Sequence, residues 1–307
     1  MLLKTIAKFC AIVISLSLFS GCHPVSSSDK QKNLNGESSA DYEKPVVVGK
    51  IESKEISESS GLAASRCQAN VFWTHNDSGH KNEIFALDEK GKSLGKWTVS
   101  GAESKDWEDI SLFKDKNGEC FLYVGDIGNN TRTRGELTIY RVKEPKINGG
   151  SSATETAQSI KITYPEMRHD AETLMIHPVS GDIYILTKRM SGASAVYKLK
   201  SDFDPDKTNT LEKITDFTVP AIPNGFLTGG DISPDGRRVI ICDYFNAYEL
   251  VLPEKAKSFD EIWTQKPQIV ELGEREIGEA VTYAADGKSI FATSENRNAP
   301  FIQVKKK

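Results

Sequence analysis

The stretch Asp106-Trp107-Glu108-Asp109-Ile110-Ser111 constrains the fold more than any other, because its pattern recurs. Glu108-Asp109-Ile110-Ser111 lies over Ser60-Gly61-Leu62-Ala63, Glu172-Thr173-Leu174-Met175, Gly230-Asp231-Ile232-Ser233 and Glu279-Ala280-Val281-Thr282. The third column is apolar in every copy, and Glu heads three of the five. Four copies run into a glycine turn, at residues 116–119, 179–182, 234–237 and 285–288, and then into a strand-like run. Glycine supplies the positive φ that tight hairpin turns need. A unit that returns about every 50 to 60 residues, with room for about four short strands, is the signature of a β-propeller blade.

The chain is therefore expected to be all-β, a propeller of five blades. Six is the alternative, because the spacings Glu108 to Glu172 and Glu172 to Gly230 are long enough to hide further strands. Short β-branched and aromatic runs bounded by turn residues fill the units, and no long amphipathic helix competes. The run 257–263 reads as a helical turn or two. The last unit has runs for only three strands, ending at Phe301 to Val304, while Pro45-Val46-Val47-Val48-Gly49-Lys50-Ile51 has no hairpin partner of its own. That N-terminal strand is expected to join the last blade and close the ring, removing the exposed sheet edge.

Residues 1–21 read as a signal peptide with a basic start at Lys4 and Lys8 and a short apolar run. Leu18-Phe19-Ser20-Gly21-Cys22 resembles the lipobox of bacterial lipoproteins, which implies cleavage before Cys22 and acylation of its thiol. Residues 22–44 then form the acylated cysteine and a tether too polar to bury itself. Residues 45–307 are the propeller. The expected location is the bacterial cell envelope, outside the cytoplasm, held to a membrane by the acyl anchor. A net charge of −4 leaves no basic footprint for nucleic acid. A monomer is expected, with a small molecule or an envelope protein as partner. That compartment permits disulfides. Cys67 and Cys120 fall between first and second strands of consecutive blades, so a bridge between them is a candidate. Cys242, in an apolar run, reads as an inert buried thiol.

In a propeller the first strand of each blade lines the channel. The loops that enter it open on the same face as those that leave the second strand. Two sets of polar residues should meet at that mouth. Ser60, Glu108, Asp109, Asp170, Glu172, Asp231 and Glu279 belong to the first; Asn76, Asp77, Asp126, Asn129, Arg189, Asp243 and Arg297 to the second. Crowded carboxylates must take up protons or cations. Oxygen donors of this kind suit Ca²⁺, and Glu108, Asp109, Glu172 and Glu279 are the candidate ligands. The competing reading is structural: backbone N–H bonds, or ion pairs with Arg189 and Arg297. His75 and His169 are the candidate catalytic acid or base. No nucleophile elbow, phosphate-binding loop, dinucleotide fingerprint or zinc spacing appears.

The segments Ser60-Gly61-Leu62-Ala63, Trp73-Thr74-His75-Asn76-Asp77-Ser78-Gly79, Asp106-Trp107-Glu108-Asp109-Ile110, Leu122-Tyr123-Val124-Gly125-Asp126-Ile127-Gly128-Asn129-Asn130 and Asp170-Ala171-Glu172-Thr173-Leu174 together resemble a largely uncharacterised group of secreted bacterial β-propeller proteins. More loosely, the chain is similar to calcium-dependent propellers of the phytase, paraoxonase and gluconolactonase type. That resemblance implies calcium in the channel beside the acidic starts of the inner strands. The catalytic sets of those enzymes find no matching motifs here. The expected function is an envelope-anchored propeller that binds a ligand or partner at an acidic, Ca²⁺-stabilised mouth. The alternative is a Ca²⁺-dependent hydrolase acting on a phosphoester or lactone.

Overall fold

A computed structural model describes residues 41–147 and 152–307. The signal peptide, Cys22 and most of the tether lie outside the described residues.

Five antiparallel sheets follow one another along the chain. Blade 1 holds Ser59–Ala64, Phe72–Asn76, Glu83–Leu87 and Ser93–Thr98. Blade 2 holds Trp107–Lys114, Cys120–Asp126, Leu137–Lys143 and Gln158–Thr163. Blade 3 holds Ala171–Ile176, Ile183–Thr187, Ser194–Leu199 and Glu212–Phe217. Blade 4 holds Gly229–Ile232, Arg238–Cys242, Asn246–Val251 and Gln268–Glu271. Blade 5 holds Ala280–Tyr283, Ser289–Thr293 and Pro300–Lys305, and takes Val46–Lys50 as its outer strand. The chain is a five-bladed β-propeller closed by its N-terminal strand.

The long spacings that left room for a sixth blade hold loops instead. Asn209–Thr210 leaves blade 3 and pairs in parallel with the outer strand of blade 2. The loop after Lys143 returns to blade 1, where Thr98 N–H bonds Ser152 O at 3.0 Å. Both additions cover outer edges that would otherwise offer free backbone groups. Phe259–Thr264 forms a 3-10 turn, capped by Ser258 and Glu261 and anchored by buried Ile262 and Trp263.

Successive strand residues point to opposite faces of a sheet. Here each face meets a different neighbour, so the core divides into five interfaces. Trp73, Trp97, Trp107 and Leu122 fill the one between blades 1 and 2. Ile139, Leu174 and Ile183 lie between blades 2 and 3, and Tyr184, Val239 and Trp263 between 3 and 4. Ile240, Val281 and Ile302 lie between 4 and 5, and Leu62, Phe72, Phe291 and Phe301 between 5 and 1. Cys67 and Cys120 form a disulfide that ties the turn of blade 1 to the second strand of blade 2. Cys242 is buried and free.

The chain enters the ring on the face of the first turns. Tyr42 bridges Lys306, whose N–H bonds Lys288 O in the first turn of blade 5. The acidic mouth is on the other face.

Candidate functional site

Register decides which residues reach the mouth. In blades 1, 2 and 3 the pairing of the first two strands slips at one residue, and that residue is Ser60, Glu108 or Glu172. A β-bulge re-aims a side chain where the ladder is interrupted. These three first-column residues thus stand at the channel entrance, with Glu279 just before the inner strand of blade 5. All are buried: Ser60, Glu108, Glu172 and Glu279. Ser60 Oγ–H donates to Glu108 O at 2.7 Å, and the same Oγ lies 3.4 Å from Glu279 Oε2.

Asp77, Asp106 and Glu108 form the tightest group, with one carboxylate oxygen from each within 4.8 Å of the others. None of the three has an ion pair within 4 Å among the described residues. Gly128 makes the approach possible. A Cβ there would lie 2.0 Å from Glu108 Oε1 and 2.5 Å from the Asp106 carboxyl. Burial, then the charges of Asp77 and Asp170, push the Asp106 carboxyl up to about 6. Burial and the neighbouring Glu172, Asp77 and Asp106 hold Glu108 well above the usual carboxylate range. Burial also raises Asp77. Such a set takes up either protons or a hard cation.

Across the mouth stands Lys188, directly after the second strand of blade 3. Its Nζ lies 2.5 Å from Glu172 Oε1 and 4.0 Å from Glu279 Oε1. It also sits over the rings of Phe226, at 4.6 Å, and Tyr244, at 5.4 Å. Burial works against the ammonium charge, but Glu172 and Glu279 outweigh it and keep Lys188 protonated. Burial pushes Glu172 up to about 8 against the pull of Lys188. Glu172 Oε2 is buried with no partner. Burial, then the charges of Glu172 and Glu295, also raise Glu279.

Other expected site residues have structural work. Asp109, one residue beyond Glu108, is withdrawn from the mouth. Its Oδ1 accepts Ile110 N–H at 2.8 Å and its Oδ2 accepts Leu174 N–H from blade 3 at 2.9 Å. Both oxygens are engaged, so its expected place among the metal ligands is corrected to an inter-blade pin. Asp231 repeats the device, accepting Ile232 N–H, Tyr283 N–H and Thr282 Oγ1–H. Asn76 fixes the 55–58 loop through Ser57 N–H, Glu58 N–H and Glu55 O. Asp243 folds its own turn by accepting from Phe245 N–H, Asn246 N–H and Tyr248 O–H. Asn129 N–H donates to Asp170 Oδ1 at 2.7 Å. Arg134 pairs with Asp126 at 2.8 Å. Arg189 is held by a backbone bridge to Gly225, and Arg297 is exposed. Neither is among the ion pairs formed by the mouth carboxylates. Lys188 takes that part.

The two histidines are also displaced from their expected roles. The second strand of blade 1 runs on to Asn76, so His75 lies inside it and faces blade 2. It is fully buried, edge-on to Trp107, with Nδ1 on Asn76 O at 2.9 Å. Burial depresses its pKa to about 4. His169 is buried between Tyr164 and Tyr197, with Nε2 2.9 Å from Tyr197 Oη. Neither is in the Asp77–Asp106–Glu108 group. Asp106, in the loop before the first strand of blade 2, is not among the expected mouth residues, while Gly128 and Glu295 lie in the polar segments after second strands, expected there without a role of their own.

One border of the mouth is apolar. Met190, Ile222 and Phe245 are exposed, and with Pro223, Phe226, Tyr244 and the buried Asp243 they line a cavity of about 200 Å³.

No protein-family model matches this sequence, and no curated protein is similar to it. Among solved structures, a gluconolactonase from Xanthomonas campestris is similar in chain path. It is 9% identical, covers 86% of this chain and 89% of its own, and has a TM-score of 0.47. The fold assignment rests on the five sheets themselves.

Proposed function

We propose that this protein is an envelope-anchored binding propeller whose acidic mouth holds Ca²⁺. The observation that carries the reading is the Asp77–Asp106–Glu108 group, three carboxylates within 4.8 Å around the space that Gly128 leaves. Asp77, Asp106 and Glu108 would hold the ion, with Glu172 beside them; all offer the oxygen donors that Ca²⁺ takes. Bound there, it neutralises the crowded carboxylates and leaves the mouth able to accept an oxygen-bearing ligand. Binding is favoured over hydrolysis because the mouth is bordered by an exposed apolar shelf, while both histidines are committed elsewhere. Acylation at Cys22 would tether the protein outside the cytoplasm. The Cys67–Cys120 disulfide supports that compartment. The entry of the chain opposite the mouth would leave the mouth facing away from the anchor.

The test is calcium-dependent melting of the full chain after EDTA treatment, in wild type and in two variants. Glu108→Gln removes a ligand charge at nearly constant shape. Gly128→Ala puts a methyl group where Glu108 and Asp106 now stand. Wild type is expected to gain about 2.7 kcal/mol with calcium at a hundred times its dissociation constant. Both variants are expected to lose most of that gain while still folding cooperatively. Equal gains in all three would refute the site. Turnover of a p-nitrophenyl phosphate or lactone by calcium-loaded protein, lost in Glu108→Gln, would favour the hydrolase alternative instead.

A further inference from the structure

The apolar shelf and the Lys188 side of the mouth carry a second inference, which goes beyond the calcium reading. Met190, Ile222 and Phe245 come from three different loops, yet they line one cavity. They are 74%, 89% and 69% exposed, unusual for side chains of this size clustered together. Under them Phe226 and Tyr244 pack edge to face at 4.8 Å, a rigid floor. A cavity of about 200 Å³ suits one ring or a short alkyl chain rather than a larger ligand.

What adjoins the shelf fixes the other end of the occupant. The Phe226 and Tyr244 rings continue to Lys188, and Lys188 to Glu172 and Glu279. Glu172 spends Oε1 on Lys188 and leaves Oε2 buried without a partner. Glu295 lies close enough to Glu279 to raise it, so this side has three carboxyls against one ammonium. A buried acceptor without a donor is costly, and a ligand N–H group can satisfy it. A carboxylate or phosphate head would meet those same acids and be repelled.

We infer that this side of the mouth binds an organic cation with an apolar body: a primary alkyl- or arylalkylamine. Its ammonium group donates to Glu172 Oε2 and its hydrocarbon lies on Met190, Ile222 and Phe245. This subsite lies on the Lys188 side of the mouth and borders the Asp77–Asp106–Glu108 group through Glu172, whose charge bears on Glu108.

Calorimetric titration of the purified full chain in saturating Ca²⁺ tests it with methylamine, hexylamine and hexanoate. Hexylamine is expected to bind at least about tenfold more tightly than methylamine, given about 0.8 kcal/mol per fully buried methylene and partial cover on a shelf. Hexanoate is expected not to bind. Glu172→Gln should weaken hexylamine at least tenfold. Should that variant fold poorly, Ile222→Ser and Phe245→Ser alter only exposed positions. Each should remove most of the gain of hexylamine over methylamine and leave the calcium-dependent melting shift in place. Hexylamine no tighter than methylamine, or hexanoate binding as well, would overturn the inference while the calcium shift still stands. So would displacement of hexylamine by calcium, which would make the acids one site. So would a dimer that Phe245→Ser dissolves, which would give the shelf to a second copy. A missing calcium shift would instead refute the calcium reading, and hexylamine binding without it would leave the amine subsite intact.

Discussion

Asp109→Ala is expected to destabilise the propeller by about 3–5 kcal/mol, the cost of leaving two buried backbone N–H groups unsatisfied at about 1–3 kcal/mol each. The carboxylate joins two blades: Ile110 in its own and Leu174 in the next. Gly61 shows how tightly it is seated, since a Cβ there would lie 2.7 Å from Asp109 Oδ1. Burial holds this carboxyl well above its ordinary range, with the backbone bonds pulling the other way. For a domain of this size the loss corresponds to a melting temperature lower by about 6–20 °C, at about 2–4 °C per kcal/mol. Asp109→Asn keeps one acceptor oxygen and should fall between alanine and wild type. A loss below about 1 kcal/mol for the alanine variant would show that the pin contributes little beyond its own desolvation.

Removal of the Cys67–Cys120 bridge comes next in size. The two cysteines are 53 residues apart, and closing a loop of that length in the unfolded chain corresponds to about 4 kcal/mol in the chain-entropy model. The Cys67→Ser, Cys120→Ser double variant should therefore melt about 8–16 °C below wild type. The effect should not depend on calcium, because the bridge lies at the first turns, on the face away from the carboxylates. Treatment with reductant should lower wild type toward the double variant and leave the variant unchanged. A wild type indifferent to reductant, with no free thiol exposed by it, would mean that the bridge survives those conditions. A double variant as stable as wild type would contradict the expectation outright.

The ring was legible in the sequence because each inner strand repeats one demand. Leu62, Ile110, Leu174, Ile232 and Val281 all enter inter-blade cores, and that burial forces the apolar third column. Closure was legible by elimination, since the last unit lacked a strand and residues 46–50 lacked a partner. The site was only partly legible. Glu108 and Asp109 are neighbours of the same chemistry, and only the slipped pairing at Glu108 separates a mouth residue from a pin. Strand length decided His75: two further residues of ladder, to Asn76, carried it from a loop into the interface with Trp107. The choice of cation at Thr187-Lys188-Arg189 turned on which residue follows the strand into the channel. Lys188 does, while Arg189 is drawn to Gly225. Convergence of Asp77, Asp106 and Gly128 depends on loops from two blades, which no periodic pattern records.

The calcium reading makes a pH-dependent claim that a purely structural cluster does not. With calcium removed, the folded protein keeps protons on Asp106, Glu108, Glu172 and Glu279 that the unfolded chain has already released. Folded-state carboxyl pKa values above the unfolded value of about 4 mean that stability is fullest at low pH and falls as pH rises. The window runs from there through about 6 for Asp106 and about 8 for Glu172. A bound cation takes the place of those protons, so its stabilisation must grow over the same window. The deciding measurement is the melting temperature of the full chain, with EDTA and with excess Ca²⁺, at about pH 5 and about pH 8. The account predicts a rise with calcium of about 5–10 °C at the higher pH, a much smaller one at the lower, and most of it lost in Glu108→Gln. No rise at either pH, or the same rise in the variant, would contradict it.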